Sequence, residues 1–154
     1  WVKSMLSEPS LAMTEARFAF GGRGFDCERG NVAMVGDVPM NVFREAAGRS
    51  RINLNITRSA HASVYASSSM RPFELAAMGC CIVSNPYAGI EKWFEVGKDL
   101  IVVNSTGEAI DVYRRLLADP ATRKVMGESA RARVLDAHTH RHRAKQIIDT
   151  IARC

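Results

Sequence analysis

The segment Ser67-Ser68-Ser69-Met70-Arg71-Pro72-Phe73-Glu74 gathers the side chains best suited to chemistry. Three hydroxyls and an arginine stand just before a helix start, which Pro72 marks because its missing N–H and fixed φ suit a first turn. Free backbone N–H groups and the dipole at such a start favour an anion, for instance a diphosphate. Arg71 can add a bidentate, charge-assisted contact. Glu74 falls in the first turn, where the dipole stabilises its carboxylate, and it can accept hydrogen bonds from a ribose diol. The same residues also admit a purely structural account, in which Glu74 helps to cap the helix and Arg71 pairs with it.

Other clusters carry less. Gly22-Arg23-Gly24-Phe25-Asp26-Cys27 follows an apolar run and nearly matches a dinucleotide fingerprint. That fingerprint needs a full helix next, and only Glu28 to Asn31 separate it from the following apolar run, so a nicotinamide cofactor is not expected. His138, His140 and His142 resemble a metal cluster. On a helix, however, 138 and 142 share a face while 140 points away, so a solvated or capping role is expected and no metal. Neither a Gly-x-Ser-x-Gly elbow nor a P-loop pattern occurs.

Strand-length apolar runs alternate with helical windows. Phe18-Ala19-Phe20, Val32 to Val35, Ile52 to Ile56, Cys80 to Val83 and Leu100 to Val103 read as five strands. Asp37 is expected to cap a helix whose first turn holds Pro39 and whose apolar face holds Val42, Phe43 and Ala46. The polar stretch Thr57 to Ser69 reads as a long loop, and Gly79 as the left-handed stop of the helix begun at Pro72. A short helix is expected to run through Trp93 and Phe94. Ser105 and Glu108 match a capping box, and Ile110, Tyr113, Leu116 and Leu117 follow at helical spacing. Asp119-Pro120 opens the next helix, with Ala130, Val134 and Leu135 as its stripe and Gly127 as an interruption. Thr139 starts a last helix with Ala144, Ile147, Ile148 and Ile151 on one face.

This order implies an α/β fold: a Rossmann-like, doubly wound parallel sheet with helices on both faces and a helical C-terminal appendage. Ligands in such folds bind at the carboxyl ends of the strands. Those ends are Gly21-Gly22, Gly36-Asp37, Asn55-Ile56-Thr57, Ser84-Asn85 and Asn104, residues that let a backbone approach a ligand closely.

The chain has 154 residues, 47% of them hydrophobic, which fits a single domain spanning 1–154. No apolar stretch approaches the roughly 18 residues of a membrane span. The formal charge is +5, from 21 Lys+Arg against 16 Asp+Glu. Residues 111–154 carry the excess, with ten basic and five acidic side chains. That tail has no interleaved aromatics, so nucleic acid is not expected; a solvated face, an acidic partner or a peripheral membrane contact is. Cys27, Cys80, Cys81 and Cys154 lack metal spacing and read as reduced thiols of a cytoplasmic protein. The first residue, Trp1, suggests a processed chain or a piece of a longer one.

Two stretches then stand out together: Arg71-Pro72-Phe73-Glu74-Leu75-Ala76-Ala77-Met78-Gly79 and Gly89-Ile90-Glu91-Lys92-Trp93-Phe94-Glu95-Val96-Gly97-Lys98. With Ala118-Asp119-Pro120, Arg133 to Thr139 and His142-Arg143-Ala144 behind them, the chain resembles the C-terminal half of GT-B glycosyltransferases. The branch is the family 4-like one that includes spore-maturation CgeB-like proteins, and the resemblance covers roughly residues 18–150. It implies a donor domain that holds a nucleotide-diphosphate sugar, with no cofactor and no metal. Glu74 would grip the ribose, and Ser69, Met70, Arg71 and Phe73 would lie beside the diphosphate. Gly89 and Ile90 would lie near the sugar or phosphates, Gly22, Gly36 and Asp37 would border the base, and Asn55, more loosely, would belong to the same site. An N-terminal Rossmann domain, or an acceptor-binding partner in its place, would complete the enzyme. The second glutamate of the family pattern, eight residues before the ribose one, is Ala66 here. The Arg and Lys pair that often clamps the diphosphate is not evident. Ala66, the need for that further domain and the basic helical tail leave an alternative, a non-catalytic interaction module that retains the fold.

Overall fold

A computed structural model describes residues 1–22 and 30–153. The near-fingerprint at 23–27 and both Cys27 and Cys154 lie outside the described residues. A π-type turn, Lys3–Ser7, runs into α1 (Glu8–Ala12), and the parallel strands β1 (Phe18–Gly21) and β2 (Val32–Gly36) follow. Then come α2 (Met40–Arg49), β3 (Asn53–Asn55), α3 (Ser59–Ala62), α4 (Arg71–Ala77), β4 (Ile82–Ser84) and β5 (Ile101–Val102). Three helices close the chain: α5 (Thr106–Ala118), α6 (Pro120–Ala137) and α7 (His140–Ile151).

The architecture is the expected one, parallel strands with helices on both faces and a helical C-terminal segment. Its hydrogen bonding differs in one respect from a single continuous sheet. Among the described residues the ladders form two sections, β1-β2 and β3-β4-β5. The two sections meet through side chains instead, because Leu54 of β3 packs, as Phe18 and Phe20 of β1 do, against the buried pair Leu6 and Val32.

The core lies in two layers separated by β4, whose alternate residues must face opposite ways. Cys80 and Ile82 pack with Leu75, Ala76, Phe94, Leu100, Ala130 and Val134, under α4 and α6. Cys81 and Val83 pack with Met5, Met13, Val103, Val112, Tyr113, Leu116 and Met126, under α5 and the N-terminal helices. Burial on both faces explains why β4 reads as an unbroken apolar run. The Tyr113 hydroxyl stays buried because it donates to the Met5 carbonyl at 2.7 Å.

The caps expected at Ser105, Asp119 and Gly79 are formed. Ser105 accepts from the Glu108 N–H at 3.2 Å, and Asp119 accepts from the Thr122 N–H at 2.9 Å. Gly79 is left-handed, at φ 72°, as a helix stop requires. The Glu108 carboxylate reaches back to the Asn104 N–H at 2.7 Å, one residue beyond the cap expected from the sequence.

Four expectations are corrected. Pro39, not Asp37, precedes the first residue of α2, its extended backbone (ψ 158°) turning the chain into the helix. The short helix near Trp93 is a single 3-10 turn, Ile90–Lys92, and Phe94 leaves it to enter the core. Gly127 does not interrupt α6, which is continuous; it lets α6 approach the Gly79 turn, where a Cβ would overlap the Gly79 carbonyl. Leu135 and the isoleucines of α7 are exposed, so the α6 stripe is Met126, Gly127, Ala130 and Val134 instead. Among the described residues no helix is long and apolar enough to cross a membrane.

Candidate functional site

The carboxyl ends of β3 and β4 are joined by a buried polar lattice. Asn55 Nδ2 donates to Ser84 Oγ at 2.9 Å, and more weakly to Thr57 Oγ1 at 3.3 Å. The Thr57 N–H donates to Asn85 Oδ1 at 2.6 Å, Ser84 Oγ–H to the Asn85 carbonyl at 2.8 Å, and Asn85 Nδ2 to the Pro86 carbonyl at 2.9 Å. Every polar group here finds a partner, which removes the cost of burying it. The lattice fixes where the two following segments, 57–70 and 85–90, leave the sheet; the first is not the unbroken loop expected from its composition, because it contains the short helix α3. Asn55 therefore serves the floor of the site; its side chain has no exposed donor left to offer a ligand.

Above this floor the two loops are strapped together. The Ala88 N–H donates to the Ala62 carbonyl at 2.9 Å, and the Ala66 N–H to the Ala88 carbonyl at 2.8 Å. Trp93 Nε1 then donates to the Ala66 carbonyl at 3.1 Å. Ala66 takes a left-handed conformation, φ 56°, which costs a residue with a Cβ about 1 kcal/mol and is held by these bonds. Gly89 is left-handed too, and a Cβ on it would overlap the Ala66 N–H. Gly89 and Ile90 are buried beneath Ala66, with Ile90 in the core. They shape the loop from below.

The strap delivers Ser67 to Met70 to the start of α4. Met70 is exposed and Ser69 half-buried, while Ser68 Oγ lies 3.4 Å from the buried Tyr87 hydroxyl. Arg71 Nη1 pairs with Glu74 Oε2 at 3.2 Å, as i,i+3 spacing allows. The Arg71 guanidinium also lies 3.8 Å from the centre of the Phe43 ring of α2. Both charged groups remain partly open to solvent. Phe73 turns the other way, into a cluster with Trp93, Phe94 and His138 at centroid distances of 5.8, 5.3 and 5.7 Å. Arg143 stacks over Trp93 at 5.2 Å and meets His138 Nδ1 at 2.7 Å. Burial, with Arg143 and Arg133 nearby, holds His138 below the usual imidazole range.

At the other strand pair, the Gly22 N–H donates to the Gly36 carbonyl at 2.6 Å, so these two glycines do come together. Asp37 follows them on the exposed surface. His142 Nδ1 lies 2.7 Å from Thr139 Oγ1 and completes the cap of α7, the capping role expected for a member of the histidine group. Among the described residues no three His, Cys, Asp or Glu side chains come together to hold a metal ion. Sequence reasoning missed Phe43, Trp93 and the strap at Ala66. Their partners lie far along the chain, and no local spacing announces them.

A strand-end floor, two strapped segments and an Arg–Glu pair at a helix start thus lie together at the carboxyl ends of β3 and β4. The family described as glycosyl transferase-like matches residues 3–149, nearly the whole length. The chain belongs to that glycosyl transferase-like family. Its fold is that of a GT-B glycosyltransferase domain. A sucrose-phosphate synthase from Thermosynechococcus elongatus superposes with a TM-score of 0.69 at 18% sequence identity, over 97% of this chain. The chain spans 42% of the length of that synthase. Among curated proteins none matches the chain.

Proposed function

We propose that this glycosyl transferase-like chain is the donor-binding, C-terminal half of a GT-B enzyme of the CgeB-like branch. In this reading Glu74 holds the ribose of a nucleotide-diphosphate sugar, and Arg71, with the start of α4, takes up the charge of the departing diphosphate without a bound metal. A second Rossmann-type unit supplies the acceptor. The observation that carries the reading is the Arg71–Glu74 pair at the mouth of the strapped loops, on a chain of this family. Both groups are partly exposed and opposite in charge, so a ribose diol and a diphosphate can each replace one half of the pair. Free, buried Cys80 and Cys81 support a reducing, cytoplasmic setting.

A thermal-shift screen against UDP, GDP, ADP and dTDP tests this. One nucleotide should raise the melting temperature, and Glu74→Ala should weaken that binding by about 1–3 kcal/mol in titration calorimetry with the fold unchanged. Equal affinity in the variant removes Glu74 from the site. Absence of any nucleotide response, here and in the longest natural form of the chain, favours the alternative of a non-catalytic interaction module. Ala66 in place of the second family glutamate supports that alternative.

A further inference from the structure

We propose that Phe43 is a positioning residue for the donor diphosphate, its ring being the platform that holds the Arg71 guanidinium ready for the anion. The inference rests on the nucleotide-sugar reading above and adds to it a residue from a separate element, α2. An arginine offers two kinds of surface. Its face can stack on an aromatic ring, while all its N–H donors lie in the plane and point outward from the edge. Phe43 takes the face, with the guanidinium carbon 3.8 Å from the ring centre. Glu74 Oε2 takes one edge position, 3.2 Å from Nη1. Among the described residues no further hydrogen bond takes the other edge donors, and the Arg71 side chain keeps 45% of its surface exposed.

The platform is itself fixed. Ala47 follows Phe43 by one turn on the same face of α2. It is buried, and its carbonyl accepts from Asn53 Nδ2 of β3 at 3.1 Å. Phe43 packs against the same core cluster. A long arginine side chain left on an open surface samples many rotamers, and a ligand that orders it binds more weakly for that. Stacking removes the freedom before the ligand arrives. It also outlasts the ion pair: a ribose that draws Glu74 away from Arg71 leaves the Phe43 contact as the one that keeps the guanidinium in place.

Titration calorimetry with UDP, GDP, ADP and dTDP tests the assignment on the parent, Phe43→Leu and Phe43→Tyr. For the nucleotide that binds, Phe43→Leu should weaken affinity about three- to tenfold, the scale of ordering one flexible side chain. Phe43→Tyr keeps the ring face and should keep the affinity. In an Arg71→Met background Phe43→Leu should cost nothing further, because no guanidinium remains to be held, whereas a merely structural ring would cost the same in both backgrounds. On the parent without ligand, the ring current should move the Arg71 side-chain protons upfield in NMR spectra, a signature that needs no variant. Unshifted Arg71 protons, equal affinity of parent and Phe43→Leu, or an equal loss in the two Arg71 backgrounds overturns the assignment and leaves the proposed function standing. A parent that binds none of the four nucleotides removes that function and this role with it.

Discussion

Asp99 has no exposed surface, and burial alone would push its carboxyl up. Ser129 Oγ–H at 2.6 Å, the Glu95 N–H at 2.8 Å and the Arg133 guanidinium outweigh that and hold it below the usual carboxylate range. Its contribution to stability is therefore complete above the unfolded value, about 3.9, and is lost as pH falls through the lower folded value. We expect Asp99→Asn to destabilise the protein by about 2–4 kcal/mol at pH 7, and urea titrations below pH ~4 to show a shallower acid loss than the parent. The sequence offers Asp99 only as one acid in a Gly-Lys-Asp turn, because its side-chain partners, Ser129 and Arg133, lie on α6. Arg71 and Glu74 were legible by contrast, since i,i+3 spacing on one helix is local.

Single elements show the same division between local and distant causes. The caps at Ser105, Asp119 and Thr139 could be read directly, because a cap is satisfied within one turn. Gly127 looked like a helix break, since nothing nearby in the sequence shows that α6 crosses the Gly79 turn at that residue. Two glycines to alanine now carry opposite expectations. Gly127→Ala places a methyl group against the Gly79 carbonyl and should cost about 1–3 kcal/mol even after the gain in helix propensity. Gly48→Ala, in α2 with nothing within 4 Å of the added carbon, should stabilise by about 0.5–1 kcal/mol. Urea denaturation of the two variants checks the sign of each. The exposed stripe of α7 was legible as a stripe, but periodicity says only that a face is apolar, not which way it points.

For the molecule as a whole, order falls away from β4. Ile82, Val83 and Ser84 are wholly buried between two layers, whereas α7 buries no residue. Native-state hydrogen exchange should find the β4 amides among the slowest and the α7 amides faster by orders of magnitude. The parallel α/β plan was readable because alternating apolar runs and helical stripes fix it. The division of the ladder into two sections was not, because pairing between strands of two to five residues depends on side chains from elsewhere, such as Leu54. One adjacent pair carries a further consequence. Cys80 and Cys81 sit in different layers, and burial pushes the Cys81 thiol up to about 11, so neither reacts until its own layer opens. Pulsed alkylation, read by fragment-ion mass spectrometry, would thus use neighbouring atoms as two separate clocks, one timing the departure of α4 and α6 and the other that of α5.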